Sequence, residues 1–181
     1  MIIFNLIARI FYSFYGYEGI NILLKVAPSK VTVEILKQFG AKIGKHVRIQ
    51  APLIIHNADQ IKPIYQNLTI GNQCYIGRDC IFDLMGKVEI RSRSTLSHRV
   101  VLNTHTDSGR SPLKNGNLKT SFGNITIEDG AYIGTGVTIL ENVVIGKKTI
   151  IGAFSLVNKP IPANQKAFGV PCKVQAELND N

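Results

Sequence analysis

The chain has 181 residues and a formal net charge of +9, and 45% of its residues are hydrophobic. This length suits a single domain with a sizeable core, and the composition excludes disordered and collagen-like chains. The three cysteines show neither disulfide-like nor metal-ligand spacing. We therefore expect reduced thiols in a cytoplasmic protein and no metal site.

The N-terminal part differs in kind from the rest of the chain. Residues 1–20 are aromatic and aliphatic, and Asn5, Arg9 and Ser13 at four-residue steps would form a narrow polar stripe on a helix. The stretch lacks the features of a signal peptide and is too short to span a bilayer. We expect it to pack on the protein or on a neighbouring subunit. Peripheral contact with the inner face of a membrane is the alternative.

A second helix is predicted at residues 30–39, and a different pattern begins after it. Near the C-terminus an aliphatic residue recurs at every sixth position. The series is Ile127, Ile133, Ile139, Ile145, Ile151 and Val157. A period of six fits neither an amphipathic helix nor a half-buried strand. It is typical of a parallel β-helix, in which each unit forms one flat face of a prism and stacked coils share a core.

Weaker copies of the repeat precede this run. Their aliphatic positions are Ile43, Ile70, Ile76, Phe82, Ile90, Leu96 and Leu102. The frame slips by two between Phe82 and Ile90, where a corner would take extra residues. Residues 107–124 are polar and carry no repeat, which predicts a long loop extruded from the coils. We therefore expect an N-terminal helical segment (1–40), an all-β domain (41–174) and a C-terminal tail (175–181).

Three strings carry a resemblance to a known family: GAYIGTGVTILENVVIG, IGAFSLVNKPIPANQKAFGVPCKV, and the loop after LNTHTD. Residues 36–174 resemble the hexapeptide-repeat acyltransferases, particularly the maltose- and galactoside-type sugar O-acetyltransferases and the enzymes that modify capsule or O-antigen. The resemblance implies a left-handed β-helix and a homotrimer with each active site between two prisms. It also implies acetyl-CoA as the acyl donor and a sugar or polysaccharide precursor as the acceptor.

The resemblance implies site residues as well. His105, at the root of the long loop, would be the general base that deprotonates the acceptor hydroxyl. Asp83 and Asp107 would contact the acceptor, and Asp107 could also orient His105. The donor contacts would be Tyr132, Gly134 and Thr135 near the thioester, Ala153, Ser155 and Lys159 along the pantetheine arm, and Lys173 at the nucleotide end. The Thr135 N–H would stabilise the oxyanion.

The positive charge is compatible with an anionic donor. The lysines of the C-terminal coils are Lys147, Lys148, Lys159, Lys166 and Lys173. An ordinary solvated surface would explain this cluster equally well. No nucleic-acid motif accompanies it, so we expect no nucleic-acid partner.

His105 departs from the maltose and galactoside pattern. It stands three positions after Leu102, whereas in those enzymes the histidine stands at the fifth position, which is Asp107 here. Capsule-modifying relatives do carry a histidine at the third position, and we predict that the loop still delivers His105 to the site. Two alternatives stay open. One is N-acetylation of an amino sugar, whose amine asks less of a base; the other is a non-catalytic trimeric CoA-binding scaffold.

Overall fold

A computed structural model describes residues 2–60, 62–109, 111–115 and 118–179, and this part of the chain contains two α-helices followed by short strands. The helices are α1 (Ile2–Leu24) and α2 (Ser29–Gln38), with 3-10 turns at Ala58–Gln60 and Pro112–Asn115. The first strands are β1 (Lys42–Ile43), β2 (Arg48–Ile49), β3 (Leu53–His56), β4 (Leu68–Ile70), β5 (Tyr75–Ile76), β6 (Cys80–Asp83), β7 (Val88–Ile90), β8 (Thr95–Leu96) and β9 (Val101–Leu102). The later strands are β10 (His105–Thr106), β11 (Ser121–Phe122), β12 (Ile125–Ile127), β13 (Tyr132–Ile133), β14 (Thr138–Ile139), β15 (Val144–Ile145), β16 (Ile150–Ile151), β17 (Leu156–Val157), β18 (Gln165–Phe168) and β19 (Lys173–Glu177).

Successive strands visit three parallel sheets in turn, as the period of six predicts. Sheet A contains β1, β4, β7, β12 and β15, and sheet C contains β3, β6, β9, β14 and β17. Sheet B contains β2, β5, β8, β13, β16 and β18, and β19 pairs antiparallel with β18 at its end. Each complete coil contributes one strand to each sheet, so the three sheets enclose a common core. Strand β19 ends at Glu177, so β-structure continues three residues past the expected boundary at 174.

The predicted inward residues stack in register along the sheets. Paired residues in neighbouring strands are Ile90–Ile127, Leu96–Ile133 and Leu102–Ile139. All of these side chains are fully buried. The slip after Phe82 falls between strands of sheets C and A and leaves the stacking intact.

Most corners of the prism turn on one residue with a positive φ, which stands three positions before an inward residue. Gly130 and Gly136 occupy this position with φ of 71° and 70°. The other corner residues are His46, Gln73, Asp79, Arg93, Arg99, Asn142, Lys148, Phe154 and Asn164. A side chain in this conformation costs on the order of 1 kcal/mol. The corners therefore depend on the burial of the core residues on either side of them.

α1 is bent sharply and forms a helical hairpin (residues 2–24). The bend lies at Gly16, whose φ of 58° and ψ of −148° are not helical. The two halves approach closely because Gly19 has no side chain: a Cβ there would clash with the Phe11 carbonyl oxygen. No helix among the described residues is long and apolar enough to cross a bilayer.

The helical hairpin packs on the first coil through its second half. Ile20 and Leu24 are fully buried, and the Asn21 amide donates to the Ile55 carbonyl of β3 at 2.9 Å. α2 packs on β1 and β2. The two helices therefore pack against the N-terminal coil, as expected for a packed N-terminal segment.

The cysteines are free thiols within or beside the core. Cys74 and Cys80 are buried at the small inward positions of adjacent hexapeptides, and Cys172 is partly buried. Burial raises the pKa of Cys80 to about 11, so its thiol is protonated and unreactive at neutral pH.

Candidate active site

His105 lies where the chain leaves the third coil. It begins the hairpin formed by β10 and β11, directly after β9 of sheet C. This position is the corner between sheets C and A. The imidazole is 23% exposed and stands on Asp83, whose side chain is 6% exposed, with 2.7 Å between His105 Nδ1 and Asp83 Oδ2.

Asp83 accepts hydrogen bonds at both carboxyl oxygens. Thr104 donates to Oδ2 through its N–H at 2.9 Å and its hydroxyl at 2.5 Å, and Asn57 donates to Oδ1 at 2.7 Å. Burial raises the pKa of this carboxyl, but the hydrogen bonds from Thr104, Asn57 and His105 outweigh burial, so the pKa lies below its ordinary value. Asp83 is therefore ionised at neutral pH and acts only as an acceptor.

The ionised carboxylate fixes the tautomer of the imidazole. His105 Nδ1 must carry a proton in order to donate to Asp83, which leaves the lone pair on Nε2. A neutral imidazole with a free Nε2, backed by a buried carboxylate, can accept a proton and hold the resulting charge. The site thus contains the components of a general base.

This geometry corrects the expectation for two acidic residues. Asp83 was expected to contact the acceptor, but it is buried beneath His105 and its oxygens are already occupied. Asp107 does not orient the imidazole, because Asp83 does so. The Asp107 carboxylate accepts instead from the Gly109 N–H at 2.9 Å and the Thr120 hydroxyl at 3.2 Å, within the loop.

Glu141, on the following coil, anchors the root of the loop. Its Oε1 accepts from the Ser121 hydroxyl at 2.8 Å and from the Thr106 hydroxyl at 3.4 Å. Phe122 pairs directly with His105 across the hairpin, so both side chains lie on the same face, and Phe122 is 70% exposed. An aromatic ring is therefore available beside the imidazole.

Four of the predicted donor contacts gather at the corner between sheets B and C. They are Tyr132, Gly134, Thr135 and Ala153. The Tyr132 hydroxyl accepts from the Ser97 hydroxyl at 3.0 Å. Among the described residues, the main-chain N–H groups of Thr135 and Ala153 donate to no acceptor. Neither residue is buried, so both groups lie at the surface. Two unused donors thus lie one coil apart along this corner.

The remaining donor predictions fall elsewhere. Ser155 is 2% exposed, and its hydroxyl donates to the Gly152 carbonyl at 2.7 Å and accepts from the Gly169 N–H at 3.1 Å. Its side chain closes a corner from the inside and cannot reach a donor on the surface. Lys159 is exposed after β17 of sheet C, and Lys173 is exposed at the start of β19.

His105 and the donor corner lie on opposite edges of sheet C. Thr135 precedes the sheet C strand β14, whereas His105 follows the sheet C strand β9, which pairs with β14. At about 3.3 Å per residue, the six or so residues that cross the face separate the two edges by roughly 20 Å. One chain alone does not bring its histidine to its own donor corner.

The repeat agrees with comparisons to known proteins. The family described as "Bacterial transferase hexapeptide (six repeats)" matches residues 124–159. The galactoside O-acetyltransferase of Escherichia coli (strain K12) is 30% identical over 81% of this chain and 68% of its own length. The chain belongs to the hexapeptide-repeat acetyltransferases. It is therefore an acyltransferase.

One further relative and one solved structure are similar to this acetyltransferase over most of its length. A protein of Escherichia coli (strain K12) provisionally named as the colanic acid biosynthesis acetyltransferase WcaF is 31% identical over 79% of this chain and 72% of its own length. A solved structure of a galactoside acetyltransferase in complex with coenzyme A has a TM-score of 0.76 and 26% identity. The match covers 90% of this chain and 79% of the galactoside acetyltransferase chain.

Proposed function

We propose that this protein transfers the acetyl group of acetyl-CoA to a hydroxyl group of a sugar or polysaccharide precursor. The relatives named for galactoside and colanic acid acetylation support the acceptor class, and the relative with bound coenzyme A supports the donor. The observation that carries the mechanism is the 2.7 Å contact between His105 Nδ1 and the buried Asp83 carboxylate. Because Nδ1 of His105 is held by Asp83, Nε2 on the opposite side of the ring is free to act as the base.

The reaction needs one base and one oxyanion donor. His105 Nε2 removes the proton of the acceptor hydroxyl while its oxygen attacks the thioester carbonyl. The Asp83 carboxylate stabilises the imidazolium that forms. Collapse of the tetrahedral intermediate breaks the carbon–sulfur bond, and the imidazolium returns its proton to the departing thiolate. The hydroxyl is thereby acetylated and free CoA is released.

The donor lies along the corner between sheets B and C in this proposal. The free Thr135 N–H would stabilise the oxyanion, a contribution of about 3 kcal/mol in other acyl-transfer enzymes, and the Ala153 N–H would hold an amide of the pantetheine arm. Tyr132 and Gly134 would line the thioester end, while Lys159 and Lys173 would face the anionic part. Asp107 stays a proposed acceptor contact. Ser155 would contribute to the pantetheine contact through its main chain only, because its side chain is buried.

A homotrimer would complete the site, since His105 and Thr135 lie on opposite edges of sheet C. The outward residues of this sheet are mostly aliphatic and only partly exposed. They are Ile54, Ile81, Val101, Thr138 and Leu156, with His56 and Asp83 also outward at the edge next to His105. Packing of this face against neighbouring copies would place one copy's His105 beside the next copy's donor corner. In this proposal the coil is left-handed, and the described part of the loop 107–124, which excludes residues 110, 116 and 117, extends from it toward the acceptor.

Replacement of the proposed base tests the mechanism. His105→Ala should lower turnover by about two to four orders of magnitude, because loss of a general base typically has this effect, and CoA affinity should barely change. Release of the CoA thiol from acetyl-CoA, measured with a panel of sugars, nucleotide sugars and capsule oligosaccharides, gives the readout. His46→Ala, at an exposed corner histidine, is the matched control.

Near-normal turnover of the His105→Ala variant would contradict the assignment. The same panel separates the two other readings of the family resemblance. Turnover with amino sugars alone would indicate N-acetylation, and CoA binding without turnover of any acceptor would indicate a scaffold.

A further inference from the structure

The helical hairpin of residues 2–24 leaves one apolar stripe uncovered. Ile3, Leu6, Ile10 and Phe14 follow helical spacing along its first half and are 70%, 58%, 46% and 78% exposed. Steps of three and four residues place all four side chains on one face. Ala8, on another face of the same helix, is fully buried. Contiguous exposed apolar side chains of this kind mark an interaction surface.

Two adjoining grooves at the end of the hairpin differ in chemistry. The first has a volume of about 230 Å³ and only apolar lining residues, among them Phe4, Leu23 and Val26. The second has a volume of about 430 Å³ and shares the wall formed by residues 26–28 with the first. Its described lining contains Lys25 and Arg78 and no acidic residue. An amphiphile with an aliphatic chain and an anionic head would match the pair.

The charges around the stripe are mostly positive. Arg9, Lys25 and Lys30 are exposed, and Glu18 is the one acidic side chain between residues 2 and 33. The Asn21 amide, whose residue is buried against the first coil, contacts Glu18 at 3.4 Å. This contact holds the carboxylate toward the packed side of the hairpin. A helix with an apolar face and flanking cations is the form that binds the surface of anionic membranes.

We propose that the helical hairpin docks this protein on an anionic phospholipid bilayer. The stripe enters the interfacial region, an acyl chain occupies the apolar groove, and a lipid phosphate lies at Lys25 and Arg78. This role goes beyond acetyl transfer and does not depend on the identity of the acceptor. A second copy fits the surface less well, because a symmetric contact would bring the cations Arg9 and Lys25 of both copies together with few acidic partners.

Co-sedimentation of the full chain with vesicles tests the proposal. The wild type should bind vesicles of phosphatidylcholine and phosphatidylglycerol more tightly than vesicles of phosphatidylcholine alone, and added salt should weaken the difference. The double variant Ile10→Ser/Phe14→Ser should lose about tenfold or more in binding to both kinds of vesicle, since its apolar contact is removed. Lys25→Gln/Arg78→Gln should keep its binding to phosphatidylcholine and lose most of the preference for phosphatidylglycerol, since Arg9 and Lys30 remain.

Matched controls replace similar residues far from the hairpin. Val144→Ser removes an exposed aliphatic side chain of sheet A, and Lys147→Gln/Lys148→Gln removes two exposed cations; both should bind vesicles as the wild type does. Ile10, Phe14, Lys25, Arg78 and Val144 are exposed, so thermal unfolding and turnover of a soluble sugar should be unchanged in the variants at these positions. Failure of the wild type to bind phosphatidylglycerol vesicles, or unchanged binding by Ile10→Ser/Phe14→Ser, overturns the proposal. A lower mass of Ile10→Ser/Phe14→Ser in light scattering would also overturn it, because the stripe would then be a contact with a second copy.

Discussion

Asp83 determines which nitrogen of His105 is available for catalysis. In Asp83→Asn the side chain keeps its size, but it loses the negative charge and can donate to Nδ1 as well as accept from it. We expect turnover to fall by about 100-fold or more, because the wrong tautomer and an unsupported imidazolium both oppose proton transfer. The dissociation constant of CoA should stay close to that of the wild type, since Asp83 does not reach the donor corner. A parallel loss of CoA binding would instead indicate a purely structural role.

The same substitution has a second readout in acid. The lowered pKa of Asp83 means that the folded state holds the carboxylate ionised more strongly than the unfolded chain, where the value is about 3.9. This stabilisation is fully present above the unfolded value and is lost as pH falls through the folded value. The difference in free energy of unfolding between wild type and Asp83→Asn should therefore shrink below about pH 4. Urea titrations at neutral pH and at pH near 3 measure it, and a difference independent of pH would rule out this linkage.

The corners are the elements in which backbone conformation limits the sequence most directly. Gly130 and Gly136 share a φ near 70°, but a Cβ at Gly136 would lie 2.6 Å from the Phe154 ring, whereas a Cβ at Gly130 would meet only the Lys148 side chain at 3.8 Å. Gly130→Ala should cost about 1 kcal/mol for the left-handed backbone alone. Gly136→Ala should cost more, because the ring must also move.

A double-mutant cycle separates the two costs of Gly136→Ala. Phe154 is 67% exposed, so Phe154→Ala removes the ring with little loss of core burial. In that background Gly136→Ala should cost no more than Gly130→Ala, as measured by chemical unfolding. If the excess cost of Gly136→Ala survives the removal of Phe154, the ring is not its cause.

The repeat made the coils predictable because each hexapeptide repeats the same demand for one buried aliphatic residue. Ile90, Leu96 and Leu102 could be assigned across the slip for this reason, since burial selects the residue type whatever precedes it. The hairpin that carries His105 lies outside the repeat, so nothing in the local pattern indicated that Glu141 would anchor it or that Phe122 would face the imidazole. These contacts join segments that only the folded chain brings together.

Asp83 shows the same limit of prediction from the local sequence. It was predicted to contact the acceptor, and the structure shows it in contact instead with residues of other coils, which the local sequence does not reveal. Asn57 precedes it by one coil, and Thr104 and His105 follow it by one. Ser155 fits the repeat as a small inward residue and was assigned to the donor site only by resemblance. Burial of that position follows from the period itself.

On the scale of the whole molecule, sheet C connects the two halves of the proposed site. The central part of its outer face is aliphatic apart from Thr138, and His56 and Asp83 lie only at its edge next to His105, whereas sheet A presents Lys42 and Glu89 outward and sheet B presents Arg48 and Lys166. An apolar face bounded by the base on one edge and the donor corner on the other fits an assembly in which three copies share three sites. The helical hairpin is then left for a different partner.

Mixed trimers test whether the site is shared. His105→Ala removes the base, and Lys173→Glu should raise the dissociation constant of CoA about tenfold or more by placing like charge against the phosphates. If His105 and Lys173 of one site come from different copies, co-expression of the two variants creates some sites in which both residues are intact. With equal amounts and random assembly, about a quarter of all sites should be intact. At an acetyl-CoA concentration well below that which saturates the wild type, activity should rise to about that fraction of wild type. If each site were built from one chain, every site would carry one of the two defects. The mixture would then show no more than the average activity of the two variants alone.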